Sequence, residues 1–470
     1  MKRFVGLVLA GVLAAYAAVL PEPAAPSGPD FVGPEAPASG ASATGSVWYC
    51  GWLDSGDIRD SSFLLASIPP AEARITLPSA IPNQDPIEEA VTVSGPGSRI
   101  FNVADVVRAG AAPGFVELDD GPAAVAASVT SQESLAGDRC VRSVPKIWYL
   151  VGGTTRDGRD LEVRLFNPFP DLAKVTVSGV SEFGPEPLPE LGAVIDVPGR
   201  AWVDLDLDEV VPLLDDLMLV VGTDEGLIIP TLSLAADGGD DATWPATGPS
   251  TYWEFPVVQT EDLVPELVVV NPGSTSVRVD VDVFEFFRDE LLALTAEVPA
   301  GAPLRLALPE NEGQPYGIRV VADGPIAAAV VAESPIDPTG ADAAVPDPNA
   351  TDDDVPVDLP VLRVAGTVGV EGPSTGWLLP GAGSVSGSVS TIWIMNTSED
   401  AATVTLQPLG VRDLAAEKIS VLAGRVVGYE IPDDAAIASY FLESTVPISA
   451  AWTTSDGRGT AFIAGVGIDA

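Results

Sequence analysis

The stretch Glu266-Leu267-Val268-Val269-Val270-Asn271-Pro272-Gly273 decides the fold. A run of β-branched residues has the composition of a buried strand, and it stops at a reversal. Pro presets φ at the second turn position, Gly supplies φ > 0 at the third, and Asn caps the turn with its side chain. Val277 to Phe284 follows, with Asp280 and Asp282 alternating with Val279 and Val281, so it reads as a half-buried strand. Upstream stands the aromatic pair Tyr252-Trp253. Downstream come Val298-Pro299-Ala300-Gly301, then Gly317 to Ala322, Asp323-Gly324-Pro325 and Ile326 to Ala332, which reads as a closing hairpin.

The same order of signals occurs three more times. The aromatic starts are Trp48, Trp148, Trp253 and Trp377, at intervals of 100, 105 and 124 residues. Asn167-Pro168 and Asn396-Thr397-Ser398 stand where the third copy has Asn271-Pro272-Gly273, and the first copy has Ser67-Ile68-Pro69-Pro70 there. Gly95-Pro96-Gly97, Val197-Pro198-Gly199 and Val421-Leu422-Ala423-Gly424 supply the later turn. A period of about 100 residues with frequent turns matches one immunoglobulin-like sandwich and exceeds a propeller blade. Short helical turns are expected only near 103–109 and 208–216.

These signals predict an all-β chain of tandem immunoglobulin-like β-sandwich repeats behind an N-terminal segment. The expected boundaries are a signal peptide or membrane anchor at 1–20 and a flexible linker at 21–45. Repeats follow at 46–144, 145–250 and 251–334, then an acidic Pro-rich linker at 335–376 and a last repeat at 377–470. Met1-Lys2-Arg3 is a positive n-region before the uncharged run Phe4 to Leu20. That run is at the short limit for a membrane span, so a cleaved signal and a retained anchor both stay open. Either places the bulk of the chain outside the cytoplasm.

Two cysteines, Cys50 and Cys140, stand at the ends of the first repeat. In an exported chain they are most simply a disulfide, the rival being two buried thiols. The net charge is -44, from 67 acidic and 23 basic residues. That disfavours nucleic acid and anionic lipid as partners. A solubilising acidic surface is the plainer reading, attraction of a basic partner the sharper one.

Tandem units that read aromatic start, strand into Asn-Pro, Ala-Gly turn and Ala/Val strand resemble an uncharacterised exported family of high-GC Gram-positive bacteria. Val268 to Gly273 with Ile318 to Val331 carries the resemblance best. It implies an envelope location and β-sandwich repeats, and brings no catalytic residues.

The chain has no histidine, which removes the usual Ser-His-Asp, Cys-His and His-metal arrangements. Gly372 to Gly376 matches G-x-S-x-G but lacks a helix after it and a base. Ser143 to Lys146 matches S-x-x-K but runs into a strand, and no Lys-Thr-Gly occurs. The abundance of carboxylates leaves an acid pair for glycoside hydrolysis open. Asp204, Asp206 and Asp208 read as a solvent-facing strand, while Asp237, Asp240, Asp241 and Asp352-Asp353-Asp354 are the loop acids to weigh for calcium. The sequon matches at Asn349 and Asn396 carry no weight in a bacterial chain.

The expectation is therefore an exported, membrane-tethered envelope protein, a binding or structural scaffold without catalytic residues, cofactor or metal. Its partner would be an envelope protein or glycan, plus the membrane if residues 4–20 stay attached. The alternative is a carbohydrate-binding module array, for which Trp202, Trp244, Trp393 and Trp452 are the platform candidates. The disulfide pair Cys50 and Cys140 and the turn residues Asn167, Asn271 and Asn396 are the structural positions singled out.

Overall fold

The computed structural model describes residues 46 to 468, apart from several short segments and the longer stretch 335–361. The segments read as a signal or anchor (1–20) and tether (21–45), and the acids Asp352 to Asp354, fall outside the described residues. Ala41–Ala470 forms one compact unit. Among the described residues no helix is long and apolar enough to cross a membrane.

The third repeat shows the pattern. Its strands are Ser250–Phe255, Val264–Val270, Val277–Glu285, Leu292–Val298 and Pro303–Ala307. The single long strand Tyr316–Glu333 supplies the sixth and seventh, and Val364–Val368 the eighth. One sheet joins the first, sixth, third and fourth strands, and the other the fifth, second, seventh and eighth, all antiparallel. The fourth repeat has the same two sheets, with Ser439–Ser455 as the long strand, Thr460–Ala464 as the eighth, and Val466–Gly467 added beside its first strand. The first and second repeats keep this plan with the long strand split in two (Gly114–Leu118 and Ala123–Ser131; Leu217–Glu225 and Ile229–Ala236) and end on Leu135–Arg139 and Asp241–Pro245; the first adds the short strands Asp54–Ser55 and Gly110–Ala111. In the second repeat the fourth position is split between Gly184–Glu186 and Ile195–Val197.

Two expectations change here. Asp323-Gly324-Pro325 does not turn a hairpin. Residues 316–322 pair with the first and third strands, residues 327–333 with the second and eighth. The chain stays extended and crosses from one sheet to the other, as strands do at sandwich corners. A hairpin needs its two arms to pair with each other, and these arms face opposite layers. The second change concerns 335–376, read as linker. Val364–Val368 within it pairs with residues 329–333 and completes the third sandwich, and Ser374–Leu379 already belongs to the fourth. The expected helical turns reduce to a 3-10 turn at Val103–Asp105 and one α turn at Leu207–Val210.

The four cores are built on the aromatic starts. Trp48, Trp148, Trp253 and Trp377 are all buried. The last three donate their indole N–H to the carbonyls of Ile228, Ile326 and Ile448, at the entry to the seventh strand. That hydrogen bond satisfies the one polar atom of a large apolar side chain.

The sandwiches close on themselves. Each eighth strand packs against the eighth strands of the two repeats flanking it, in the cyclic order first, second, third, fourth, first. Ala136, Ala242, Ala365 and Ala461 hold equivalent places on these strands, paired opposite Val129, Leu234, Ala332 and Thr454, and all are buried. Small residues let backbones approach. A Cβ on Gly366 would lie 2.4 Å from the Trp244 ring, and one on Gly459 2.4 Å from Asp240 Oδ1. The tandem order is therefore folded into a ring.

Candidate functional site

The polar residues of this ring lie on its inner strands and seams. Asp138 stands on the first repeat's eighth strand, where the others have Trp244, Thr367 and Ile463. It is 4% exposed. Its Oδ2 lies 3.1 Å from Thr367 Oγ1 of the third repeat, and its Oδ1 accepts from Ala464 N–H of the fourth at 3.4 Å. Thr367 Oγ1 is also 3.1 Å from Val368 O. Burial pushes Asp138 up to about 7 despite Arg139 beside it. Asp240 of the second repeat is equally enclosed and accepts from Val364 N–H of the third at 3.0 Å. Its Oδ1 has no partner among the described residues, and burial pushes it too up to about 7. Asp241 is raised by burial and sits 3.2 Å from Arg59 of the first repeat. Asp240 and Asp241 thus belong to buried seams, not to an open calcium loop, while Asp237 falls outside the described residues.

The seams absorb much of the scarce basic charge. Between the first and second repeats Arg164 donates to Leu53 O at 3.1 Å, pairs with Asp54 and Asp204, and lies over the Trp52 ring at 4.3 Å. Between the second and third, Arg156 and Arg159 hold Glu333, and Arg305 joins Asp216 at 2.6 Å and Glu266 at 2.8 Å. Between the third and fourth, Thr397 donates to Glu254 Oε1 at 2.8 Å, and Tyr252 donates to the same oxygen. Between the fourth and first, Arg458 donates to Ser131 O at 3.1 Å while Leu64 and Ala126 bury in the fourth repeat's core. Partly buried charges survive only when paired. A small cavity at the third seam is lined by Glu254, Phe255, Val257, Thr367, Ala451 and Phe462.

One cluster of acids faces outward. Asp160, Asp206 and Asp208 bring carboxylate oxygens within 4.8 Å of one another. Asp206 accepts from Glu209 N–H and Asp208 from Leu161 N–H at 2.7 Å. Burial, and then the neighbouring Asp160, push Asp208 up to about 7. Three carboxylates could supply oxygen ligands to a hard cation such as calcium. The strand ends at Asp206, so Asp204, Asp206 and Asp208 do not share one solvent-facing strand. Asp204 pairs with Arg164, Asp206 caps the α turn, and Asp208 lies within it.

Cys50 and Cys140 are disulfide-bonded, with Cα atoms 4.7 Å apart. Asn167, Asn271 and Asn396 are fully buried. Each donates through Nδ2 to the carbonyl four residues on (Asp171, Thr275, Asp400) and to the end of the fourth strand (Val197, Val298, Val421). Each accepts through Oδ1 from the N–H two residues on. One side chain so ties the second-to-third turn to the fourth strand. Of the platform candidates, Trp244 and Trp452 are buried, and Trp202 and Trp393 pack partly buried against cores. Ser374 of the G-x-S-x-G match is buried and donates to Ile468 O.

Sequence reasoning missed the ring itself. Its signals were present as an Ala at one offset in all four last strands, and as Arg placed near seams. No curated protein matches the chain. Among solved structures, one from Thermotoga maritima, titled 1070, is 13% identical over 26% of this chain and 96% of its own, with a TM-score of 0.19. The FN1–FN3 domains of chicken CNTN1 are 12% identical over 68% and 96%, with a TM-score of 0.11. A family of unknown function, DUF5719, matches residues 104–354, from within the first repeat to short of the third repeat's eighth strand. The chain belongs to that family.

Proposed function

We propose that this is an exported, membrane-tethered protein of the cell envelope that serves as a binding or structural scaffold without catalytic activity. The observation that carries the reading is that the most deeply buried of the raised carboxylates sit between repeats; Asp208, raised in the outward cluster with Asp160 and Asp206, is the exception. Asp138, Asp240 and Asp241, each raised by burial, are walled into contacts between repeats and face other repeats of the same chain. A catalytic carboxylate of raised pKa must meet substrate, and these meet Thr367, Val364 and Arg59. The ring leaves loops and strand edges as its outer features, which suit binding. The apolar run Phe4 to Leu20 supports export.

Crosslinking in intact cells, then purification of the chain from the envelope fraction, tests this. A reproducible envelope partner is expected. Recovery in the cytoplasm, or hydrolysis of an envelope glycan that is lost when one buried acid is changed to its amide, would sink the reading.

A further inference from the structure

The fourth strand ends its sheet in each repeat, so among the described residues one row of its backbone groups has no strand partner. Such an edge accepts another strand unless it is guarded by charge, brevity or interruption. Three of the four are guarded. Ile87–Val93 carries Glu88 and Glu89, Glu417–Val421 begins with Glu417 and Lys418, and the second repeat's is broken into two three-residue pieces. The third repeat's strand, Leu292–Val298, is seven residues long and carries Glu297 as its one charge. It opens Leu292-Ala293-Leu294, with Leu292 44% exposed and Leu294 half-buried over the third core. It pairs on one side with Val277–Glu285, whose Asp280 and Asp282 are already held by Arg278 and Arg319, so Glu297 is the acid the edge itself offers.

We propose that Leu292–Val298 is a docking edge, and that its occupant is an extended basic segment of a partner protein that adds as a further strand. The proposal rests on the scaffold reading above and names its partner class. Main-chain hydrogen bonds would hold the segment, and alternate side chains would give selectivity. The choice of a basic partner over a second copy follows from charge. Two chains of net charge -44 repel, whereas a lysine-bearing strand is drawn toward Glu297 and the acidic surface. Apolar residues on the segment would cover Leu292 and Leu294, and its lysines would face outward.

The test is hydrogen exchange on the full chain with a short amidated peptide alternating lysine and valine. Amides of 292–298 should slow by roughly tenfold, and added salt should weaken the effect. Leu292→Lys, an exposed position, should weaken binding by roughly tenfold with the fold intact. Thr295→Pro should abolish it by removing a backbone donor. Protection elsewhere or nowhere, equal binding of an alternating glutamate–valine peptide, or indifference to Leu292→Lys overturns the proposal. So does a chain dimer that Leu292→Lys dissociates. Envelope partners that crosslink away from 292–298 would remove this edge while leaving the scaffold reading standing.

Discussion

The first repeat and the third solve the same two closure problems with different chemistry. At the junction of the first strand with the chain after the eighth, the third repeat sets Phe255 against Gly369, where an added Cβ would lie 2.9 Å from Phe255 Cζ. The fourth repeat sets Leu379 against Gly465 at 2.7 Å. The first repeat puts Cys50 and Cys140 there and bonds them. At the turn between the second and third strands, the third repeat uses Asn271 with three hydrogen bonds. The first uses Ser67, whose hydroxyl donates to Pro69 O at 2.8 Å. One fold tolerates either device because it constrains the contact and not the residue. Covalent pinning appears where the turn is weakest in side-chain hydrogen bonds.

The sharpest way to break this comparison is to replace both cysteines by alanine. The bond closes a loop with a sequence separation of 90. Its loss should lower stability by about 4–5 kcal/mol on the chain-entropy account. Denaturant midpoints of the full chain with and without the bond would measure it. A loss below about 1 kcal/mol would mean that packing alone pins the first repeat, as in the others.

Asn271→Ala comes next. The side chain is fully buried and joins Thr275 O, Val298 O and Gly273 N–H, and the change leaves the buried Val298 O without that donor. A cost of about 3 kcal/mol is expected. Asn167→Ala and Asn396→Ala should behave alike, and a tenfold difference in unfolding equilibrium among the three would deny their equivalence.

The third prediction contrasts the inner strands. Asp138 occupies the place that Trp244, Thr367 and Ile463 fill elsewhere, and it and Asp240 are both raised to about 7. A carboxyl whose folded pKa exceeds its unfolded value of about 4 binds more protons when folded. Stability therefore falls as pH rises from about 4 through about 7, and is flat above. Thr367, Ala464 N–H and Arg139 face Asp138; Val364 N–H, Arg363 and Asp241 face Asp240. Asp280 and Asp456, held low by hydrogen bonds, give the opposite slope at more acidic pH. Asp138→Asn keeps the shape, and should flatten the fall by about 2–3 kcal/mol between pH ~5 and ~8. Equal pH dependence in the variant and the parent would show that Asp138 keeps its charge when folded.

Local elements were legible in the sequence because local signals fix them. Trp starts, Asn-Pro turns and alternating runs each carry their own physics, and they marked four sandwiches and the disulfide pair. The crossing at Asp323-Gly324-Pro325 was not legible, since Gly and Pro punctuate a hairpin and a sheet switch in the same way. The eighth strand of the third repeat was hidden because an acidic stretch precedes Val364 and imitates a linker. Ring closure was hidden because it depends on contacts across some 300 residues, with Ala136, Ala242, Ala365 and Ala461 as its faint marks. The acids Asp160, Asp206 and Asp208 converge only once Leu207–Val210 turns the chain back.

The smallest effect is the most telling about the first repeat. Ser67 is buried, but its single hydroxyl contact is local, so Ser67→Ala should cost only about 1 kcal/mol. Restoring the asparagine found in the other repeats should not help. The chain at Gly95 already lies against Pro69, where an added Cβ would sit 2.1 Å from Pro69 C. Pro69 also stands two residues on, where Asn271 accepts an N–H from Gly273, and a proline has no N–H to give. Ser67→Asn must push these segments apart or leave its amide unpaired, and either costs about 1–2 kcal/mol. Denaturant midpoints of the two variants against the parent decide it. A stabilising Ser67→Asn would mean that the first repeat retains the turn geometry of the others and merely lacks its side chain.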